Sequence, residues 1–239
     1  MTGATSPAAL VVVPTYNERE NLPILVAGLL QHPNVRVLVV DDDSPDGTGA
    51  LASELSDQQP GRVRVLHRRG IRGLGRSYID GLKLAIDEPV DVICQMDADL
   101  SHDPAQLPSL IAATAHADVV IGSRYVPGGT IVNWPARRRL LSRFANMYVR
   151  TVTRLSARDC TSGYRCWRRD ALASMPLDRF ISDGYSFLVE MLYVAARRGS
   201  RIAEVPITFV ERRLGESKLS RAVLIESAVA PWRLIGRDS

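Results

Sequence analysis

Cysteine is scarce in this chain: three in 239 residues, at positions 94, 160 and 166, with no CxxC spacing among them. That excludes a disulfide framework and a structural zinc site of the usual kind, and it makes a reducing compartment the default. No apolar run approaches the ~18 to 20 residues of a membrane-spanning helix. Residues 1–9 hold neither a basic stretch nor an apolar one, so no signal peptide is expected, and a secreted or integral membrane protein is excluded on this reading. Aromatic residues amount to 6%, too few to interleave with the basic ones as base stacking requires, so nucleic acid is not an expected partner. GxGxxG does not follow the first apolar run, and a Walker A lysine motif is missing, which disfavours dehydrogenase-type and P-loop nucleotide sites. There is no obvious Ser-His-Asp or Cys-His pair for nucleophilic catalysis.

What is present is an ordinary folded composition, 46% hydrophobic and 23% charged. A chain of this length suits one large domain that needs no disulfide or metal staple. The net charge of +4 hides a division. Residues 1–119 carry 9 Lys and Arg against 16 Asp and Glu, a balance of −7, while residues 120–239 carry 21 against 10, a balance of +11. Such asymmetry points to polyanion, nucleotide-phosphate or membrane-surface contact in the second half.

Short β-branched runs at Ala9–Val13, Val35–Val40, Val63–Leu66, Val90–Met96 and Val119–Gly122 read as strands. Near-continuous apolar runs are what strands buried on both faces of a parallel sheet require. Helical patterns at Glu18–Leu30, Thr48–Leu55, Gly75–Ile86 and Pro104–Ala115 lie between them, with Asp103 a natural N-cap. The alternation predicts an α/β fold with right-handed crossovers.

From Arg137 to Arg158 there are seven arginines and no acid, and the stretch reads as one long helix. Arg139, Arg143, Arg150 and Arg154 share a face, with Leu140, Phe144, Met147, Thr151 and Leu155 forming an apolar stripe beside them. Two readings stay open: a core-packed helix with a solvated basic back, or a basic amphipathic helix at a membrane surface.

Three clusters fall at the C-terminal ends of predicted strands, the edge where open α/β sheets bind ligands. Asp41-Asp42-Asp43 follows the second strand, and mutual repulsion of three adjacent carboxylates argues against a purely structural role. Asp97-Ala98-Asp99 follows the fourth strand, and two hard oxygen donors at that spacing suit Mg²⁺ or Mn²⁺ bridging to substrate phosphates. His102, close by, is either structural or a phosphate contact. Pro14-Thr15-Tyr16-Asn17-Glu18 follows the first strand, where Pro14 would end the strand and Tyr16 and Glu18 could wall a nucleoside pocket. Arg124, Arg138, Arg165 and Lys218, each near a glycine-rich turn or small residues, form a set of candidate phosphate clamps.

The set PTYNE (14–18), VVDDDSPDGT (39–48), GLG (73–75), MDADLSH (96–102), IGSRY (121–125), GG…W…R (128–138), TSGYR (161–165), DGYSF (183–187) and ERRLGESKL (211–219) resembles the polyprenol (dolichol) phosphate mannose synthases. These are inverting family 2 glycosyltransferases of the GT-A fold. The QxxRW signature of processive polysaccharide synthases is missing. The resemblance implies a GT-A, Rossmann-like, mixed but mostly parallel sheet flanked by helices over residues 9–219, with a C-terminal acceptor-binding helical region. The residues on either side are expected to be a disordered stretch at 1–8 and an amphipathic, membrane-proximal segment at 220–239, broken by Pro231.

By position, the resemblance carries Pro14, Tyr16 and Glu18 onto the guanosine pocket, with Asp41 and Asp43 near base and ribose. Asp97 and Asp99 fall on the metal pair, and Asp99 sits nearest the sugar phosphate. Ser101 stands where many relatives have glutamine, so water would replace a third ligand. Arg124, Arg138 and Ser142 fall on the acceptor-phosphate set, Arg212 near the donor diphosphate, and Lys218 on a loop closing the site. Asp99, Arg124 and Arg138 carry the catalytic role. The implied reaction moves mannose from GDP-mannose to polyprenyl phosphate, with Mg²⁺ or Mn²⁺ as cofactor. It would run peripherally on the cytoplasmic face of a membrane, with an integral membrane partner or fused membrane domain. The rival readings are a UDP-glucose-dependent relative and a catalytically silent binding protein.

Overall fold

The computed structural model describes residues 6–180, 182, 184–211 and 229–236. Strands and helices alternate through the first half: β1 (Ala9–Thr15), α1 (Leu22–Leu30), β2 (Val35–Asp41), α2 (Thr48–Gln58), β3 (Val63–His67), α3 (Leu74–Ile86), β4 (Val92–Gln95), α4 (Leu107–Ala113) and β5 (Val119–Ser123). Then come β6 (Thr130–Val132), α5 (Ala136–Thr153), β7 (Arg165–Arg168), α6 (Arg169–Ala173), α7 (Gly184–Arg197), β8 (Ile202–Pro206) and β9 (Thr208–Val210). One seven-stranded sheet has the order β3-β2-β1-β4-β7-β5-β8, and β6 pairs with β9 in a separate ribbon. Every pairing in the large sheet is parallel except those of β7, which runs antiparallel between β4 and β5. The sheet is mixed and mostly parallel, as expected.

All seven residues of β1 are buried because alternate side chains enter two different cores. Leu10 and Val12 join Tyr78 and Leu82 of α3 and Phe187 and Met191 of α7 on one face. Val11 and Val13 join Leu22, Leu25 and Leu29 of α1 and Leu107 and Leu110 of α4 on the other. Close approach of α3 to the sheet depends on Gly81, where a Cβ would lie 2.6 Å from Val12 and 2.7 Å from Val40.

Several boundaries differ from the sequence reading. β1 runs through Pro14 to Thr15 alongside β2, while its pairing with β4 stops at Val12, so the missing Pro14 N–H falls where β1 has only one neighbour. The first helix begins at Leu22, not Glu18, after a turn in which the N–H groups of Asn21 and Leu22 donate to the Glu18 carbonyl. Asp103 caps the turn before α4 as expected, accepting from Ala105 N–H at 2.9 Å. At the N-terminal end, Ser6 accepts from the Asn34 amide and the Ala8 N–H donates to Asp91.

Strand β7 was not expected, and its first residue explains why. Arg165 is fully buried and donates to the carbonyls of Ser162, Leu188 and Cys160 at 2.9, 2.6 and 2.8 Å. Burial pulls its pKa down to about 10, which still leaves it charged at neutral pH. Arg165 is therefore a core strut and not a phosphate clamp.

The basic helix also departs from expectation. It ends at Thr153, with Arg154 in the left-handed region (φ 57°), rather than at Arg158. Its inward face is Asn146, Val149 and Thr153. Asn146 donates to Thr161 and accepts from Cys160 N–H at 2.8 Å, and these bonds turn the polar face inward. Leu140, Leu141, Phe144 and Met147 consequently point outward, between 52% and 71% exposed, and only Leu155 of the expected apolar stripe is buried. The core-packed reading is overturned for that stripe. Residues 229–236 are helical through Pro231 and attach to α5, where the Trp232 indole donates to the Tyr148 hydroxyl at 2.8 Å. Among the described residues, no helix is long and apolar enough to cross a membrane.

Candidate active site

Strands β1, β2 and β3 succeed one another on one side, while β4 is laid on the opposite edge of β1. The chain therefore reverses its winding between β1 and β4, and a crevice opens beyond their C-terminal ends. PTYNE and the Asp97–Asp99 pair leave the sheet at that point, with the Asp41–Asp43 run beside them at the end of β2.

Arg72 gathers one wall of the crevice. Its guanidinium lies 4.8 Å from the centre of the Tyr16 ring, donates to the Tyr16 hydroxyl at 2.9 Å, and donates to both the carbonyl and carboxylate of Asp43. Asp43 is exposed and in the left-handed region, φ 58°. The two preceding carboxylates have structural partners, contrary to the repulsion argument. Asp41 is buried and accepts from Ser44 and Thr15 hydroxyls. Asp42 pairs with Arg68 and accepts from Gly73 N–H, tying the 70–73 loop to β2. Glu18 accepts from the Asn21 amide at 2.7 Å, and its N–H donates to Thr48.

The second wall is the carboxylate pair. Asp99 is buried and accepts from the Ser101 N–H at 3.1 Å and hydroxyl at 2.5 Å. Asp97 accepts from the Tyr78 hydroxyl at 3.1 Å and lies 3.6 Å from His102 Nε2. Burial, then the charge of Asp97 beside it, pushes the Tyr78 phenol well above its ordinary value, so it remains a proton donor to the carboxylate. A Cβ at Gly163 would sit 3.0 Å from Asp97 Oδ2, so this glycine keeps the space beside the carboxylate open. The donor set fits a hard divalent cation. Among the described residues no group of three or more His, Cys, Asp or Glu could hold a metal. Because Tyr78 aims Asp97, Tyr78→Phe should raise the metal concentration for half-maximal activity by roughly 10- to 100-fold while leaving the fold intact, read by metal titration of the rate.

The third wall is cationic. Arg124 follows β5 and is only 8% exposed, held by the fully buried Asp159. Its Nε and Nη2 donate to the two Asp159 oxygens at 2.7 Å each, its own N–H donates at 3.0 Å, and Nη2 also reaches Thr161. Burial alone would raise the Asp159 carboxyl, but the Arg124 charge and its hydrogen bonds outweigh that and hold it below the usual range. Arg138 donates to Glu211 at 2.6 Å and lies 4.1 Å from the centre of the Trp134 ring. Ser142 accepts from the Tyr125 hydroxyl at 2.7 Å.

A chain of rings joins the acidic and cationic walls. His102, beside Asp97, contacts Phe209 (5.2 Å between centroids), and Phe209 contacts Trp134 (5.3 Å). Arg124 lies over both Phe209 and Trp134, at 5.2 and 5.8 Å. Asp97, Arg124 and Arg138, distant in sequence, are thus tied to one aromatic cluster. Among the described residues the buried Trp134 indole N–H has no partner. Sequence reasoning missed Asp159, Tyr78 and Phe209. Asp159 alone carried a signal, an acid immediately before TSGYR in an otherwise arginine-rich stretch. Arg212 and Lys218 lie outside the described residues.

A mostly parallel sheet with one antiparallel strand inserted, bearing a DxD pair at its switch point and arginines opposite, defines a glycosyltransferase of the GT-A fold. The profile described as "Glycosyl transferase family 2" matches residues 10–175, and the chain belongs to that family. It is 48% identical over 233 residues to a polyprenol monophosphomannose synthase of Mycolicibacterium smegmatis, covering 95% of this chain and 88% of that one. It is likewise 48% identical over 231 residues to an undecaprenyl-phosphate mannosyltransferase of Micrococcus luteus, covering 95% of each. Among solved structures, a mannosyltransferase of Pyrobaculum calidifontis in complex with GDP-Man and Mn²⁺ shares the fold, with TM-score 0.64 and 18% identity, over 98% of this chain and 66% of that one. Glucosyl-3-phosphoglycerate synthase of Mycobacterium tuberculosis in complex with UDP does so with TM-score 0.68 and 18% identity, over 97% and 80%.

Proposed function

We propose that this enzyme transfers mannose from GDP-mannose to the phosphate of a polyprenyl phosphate, with inversion at the sugar carbon. The observation that carries the reading is the meeting of the Asp97–Asp99 pair with Arg124 and Arg138 around one aromatic cluster. The mannosyltransferase relatives support it.

Tyr16, Asp43 and Arg72 form the wall suited to the nucleoside, with Pro14, Glu18 and Asp41 behind them. Asp97 and Asp99 would hold Mg²⁺ or Mn²⁺, which supplies neutralisation of the diphosphate as the sugar leaves. The acceptor is a phosphate monoester, already largely ionised at neutral pH since its second pKa is about 6, so no general base is needed. Arg124 and Arg138 offset repulsion between two anionic substrates and orient the acceptor oxygen. Asp159 and Glu211 hold those two guanidinium groups in place before substrate arrives.

The exposed Leu140, Leu141, Phe144 and Met147, with the arginines of α5 and the exposed Trp232, support work at a membrane surface.

The test is transfer of labelled mannose from GDP-mannose to a short-chain polyprenyl phosphate, with UDP-glucose as rival donor. The expected result is mannolipid from GDP-mannose only, lost with EDTA and restored by Mg²⁺ or Mn²⁺. Glucolipid from UDP-glucose, or EDTA-resistant transfer, would sink the reading.

A further inference from the structure

Arg124 and Tyr125 also border a separate cavity of about 480 Å³, whose outer wall is α5 and the loop after it. Arg143, Arg150 and Arg158 line it together with Met147, and no carboxylate does so among the described residues. Among the described residues the three guanidinium groups form no ion pair there, and Arg150 Nε is buried without a hydrogen-bond partner. Arg124, at the rim, is already engaged by Asp159. Glu204, below the loop, uses its oxygens on the N–H groups of Arg158 and Asp159, at 2.7 and 3.0 Å. Arg143 and Arg158 are exposed and Arg150 is half-buried; three like charges facing one cavity repel one another, and an anion placed between them relieves that repulsion.

The acceptor candidates Arg138 and Ser142 do not line this cavity. Tyr125 separates the two places: its hydroxyl holds Ser142, while its ring carries Arg124 at 5.4 Å and Arg143 at 6.0 Å. The same helix that supplies Arg143 and Arg150 presents Leu140, Leu141, Phe144 and Met147 to the outside. A free nucleotide or inorganic anion gains nothing from that apolar flank, whereas an amphiphile does.

We infer that the Arg143–Arg150–Arg158 cavity is a second phosphate site, and that its occupant is the phosphodiester head group of an anionic membrane phospholipid. This goes beyond the transferase reading and rests on it only in taking a lipid surface as the workplace. A head group seated there, with its acyl chains along Phe144 and Met147, orients the neighbouring acceptor crevice toward the bilayer.

The experiment is sedimentation of the full chain with phosphatidylcholine vesicles containing or lacking phosphatidylglycerol, without donor or acceptor, so the result does not depend on the transferase reading. Arg150→Gln/Arg158→Gln is compared with Arg137→Gln/Arg139→Gln, which removes equal charge from exposed positions outside the cavity. The cavity pair should weaken binding to phosphatidylglycerol vesicles about ten-fold more than the control pair, since charge-assisted bonds in a site exceed diffuse attraction. Equal losses would mean diffuse charge only and overturn the site.

The wild-type chain gives a second readout that folding cannot confound. The Arg150 Nε resonance should shift saturably with a short-chain phosphatidylglycerol, and at lower concentration than with inorganic phosphate. Equal response to inorganic phosphate would overturn the lipid assignment. If transfer to a short-chain acceptor in detergent fell as far as vesicle binding in the cavity variant, the cavity would be the acceptor's own seat, and the proposal would fail.

Discussion

Asp99→Asn should lower kcat by about 10³-fold or more while leaving the melting temperature within a few degrees of wild type. The substitution is nearly isosteric, and an asparagine oxygen can still accept from the Ser101 N–H and hydroxyl. What disappears is a buried negative charge in the loop after β4, and with it much of the affinity for the divalent cation that Asp97 and Asp99 would hold to neutralise the departing diphosphate. Several kcal/mol of charge stabilisation are lost, and each ~1.4 kcal/mol is ten-fold in rate. Asp97→Asn should behave likewise, with a larger rise in the metal requirement because Tyr78 would still donate to a weaker ligand. Asp42→Asn is the instructive contrast. It breaks the pair with Arg68 and weakens the bond from Gly73 N–H, so it should lower the melting temperature and move the rate much less. Steady-state kinetics beside thermal melts separate the two kinds of carboxylate. Full activity and retained metal dependence in Asp99→Asn would rule out the mechanism.

That contrast also shows what the sequence could and could not disclose. The strands of the first half were readable because burial on both faces forces uninterrupted apolar runs, as in ALVVV and VRVLVV. The DxD pair stood out because two hard donors at a strand end have few structural uses. For the Asp41–Asp43 run the repulsion argument failed, since repulsion counts only where no cation is near, and Arg68 and Arg72 come from a loop 26 to 29 residues later. Strand β7 escaped because a strand is not expected to open on a charged side chain, yet three backbone carbonyls make a buried arginine tenable. The orientation of α5 escaped for a related reason. Periodicity identifies the apolar stripe but not what it meets, and here Asn146, by bonding the 160–161 loop, decides which face turns inward. Tertiary hydrogen bonds overrode hydrophobic patterning, and they did so next to the site.

Asp159→Asn tests whether Arg124 depends on a positioning carboxylate. The pair is almost wholly out of water, with bidentate geometry and a third bond from the Arg124 N–H. Removing one partner from such a pair typically costs about 3 to 5 kcal/mol, which for a chain of this size lowers the melting temperature by roughly 10 °C. The pH dependence carries a sign. Asp159 has a folded-state pKa below its unfolded one, so its contribution is fully present above the ordinary carboxylate value of about 3.9 and is lost as pH falls through the folded value. The stability gap between wild type and Asp159→Asn should therefore be constant from pH 5 to 8 and close only in more acid solution. A purely structural role would stop there. As a positioning residue, Asp159 should also govern acceptor use: with Arg124 no longer clamped, kcat/KM for polyprenyl phosphate should fall on the order of 10²-fold, while the affinity for GDP-mannose stays near wild type. A variant that lost donor and acceptor affinity in equal measure would show that the pair only supports the fold. The isolated loss on the acceptor side would assign Asp159 the task of aiming Arg124 at the incoming phosphate.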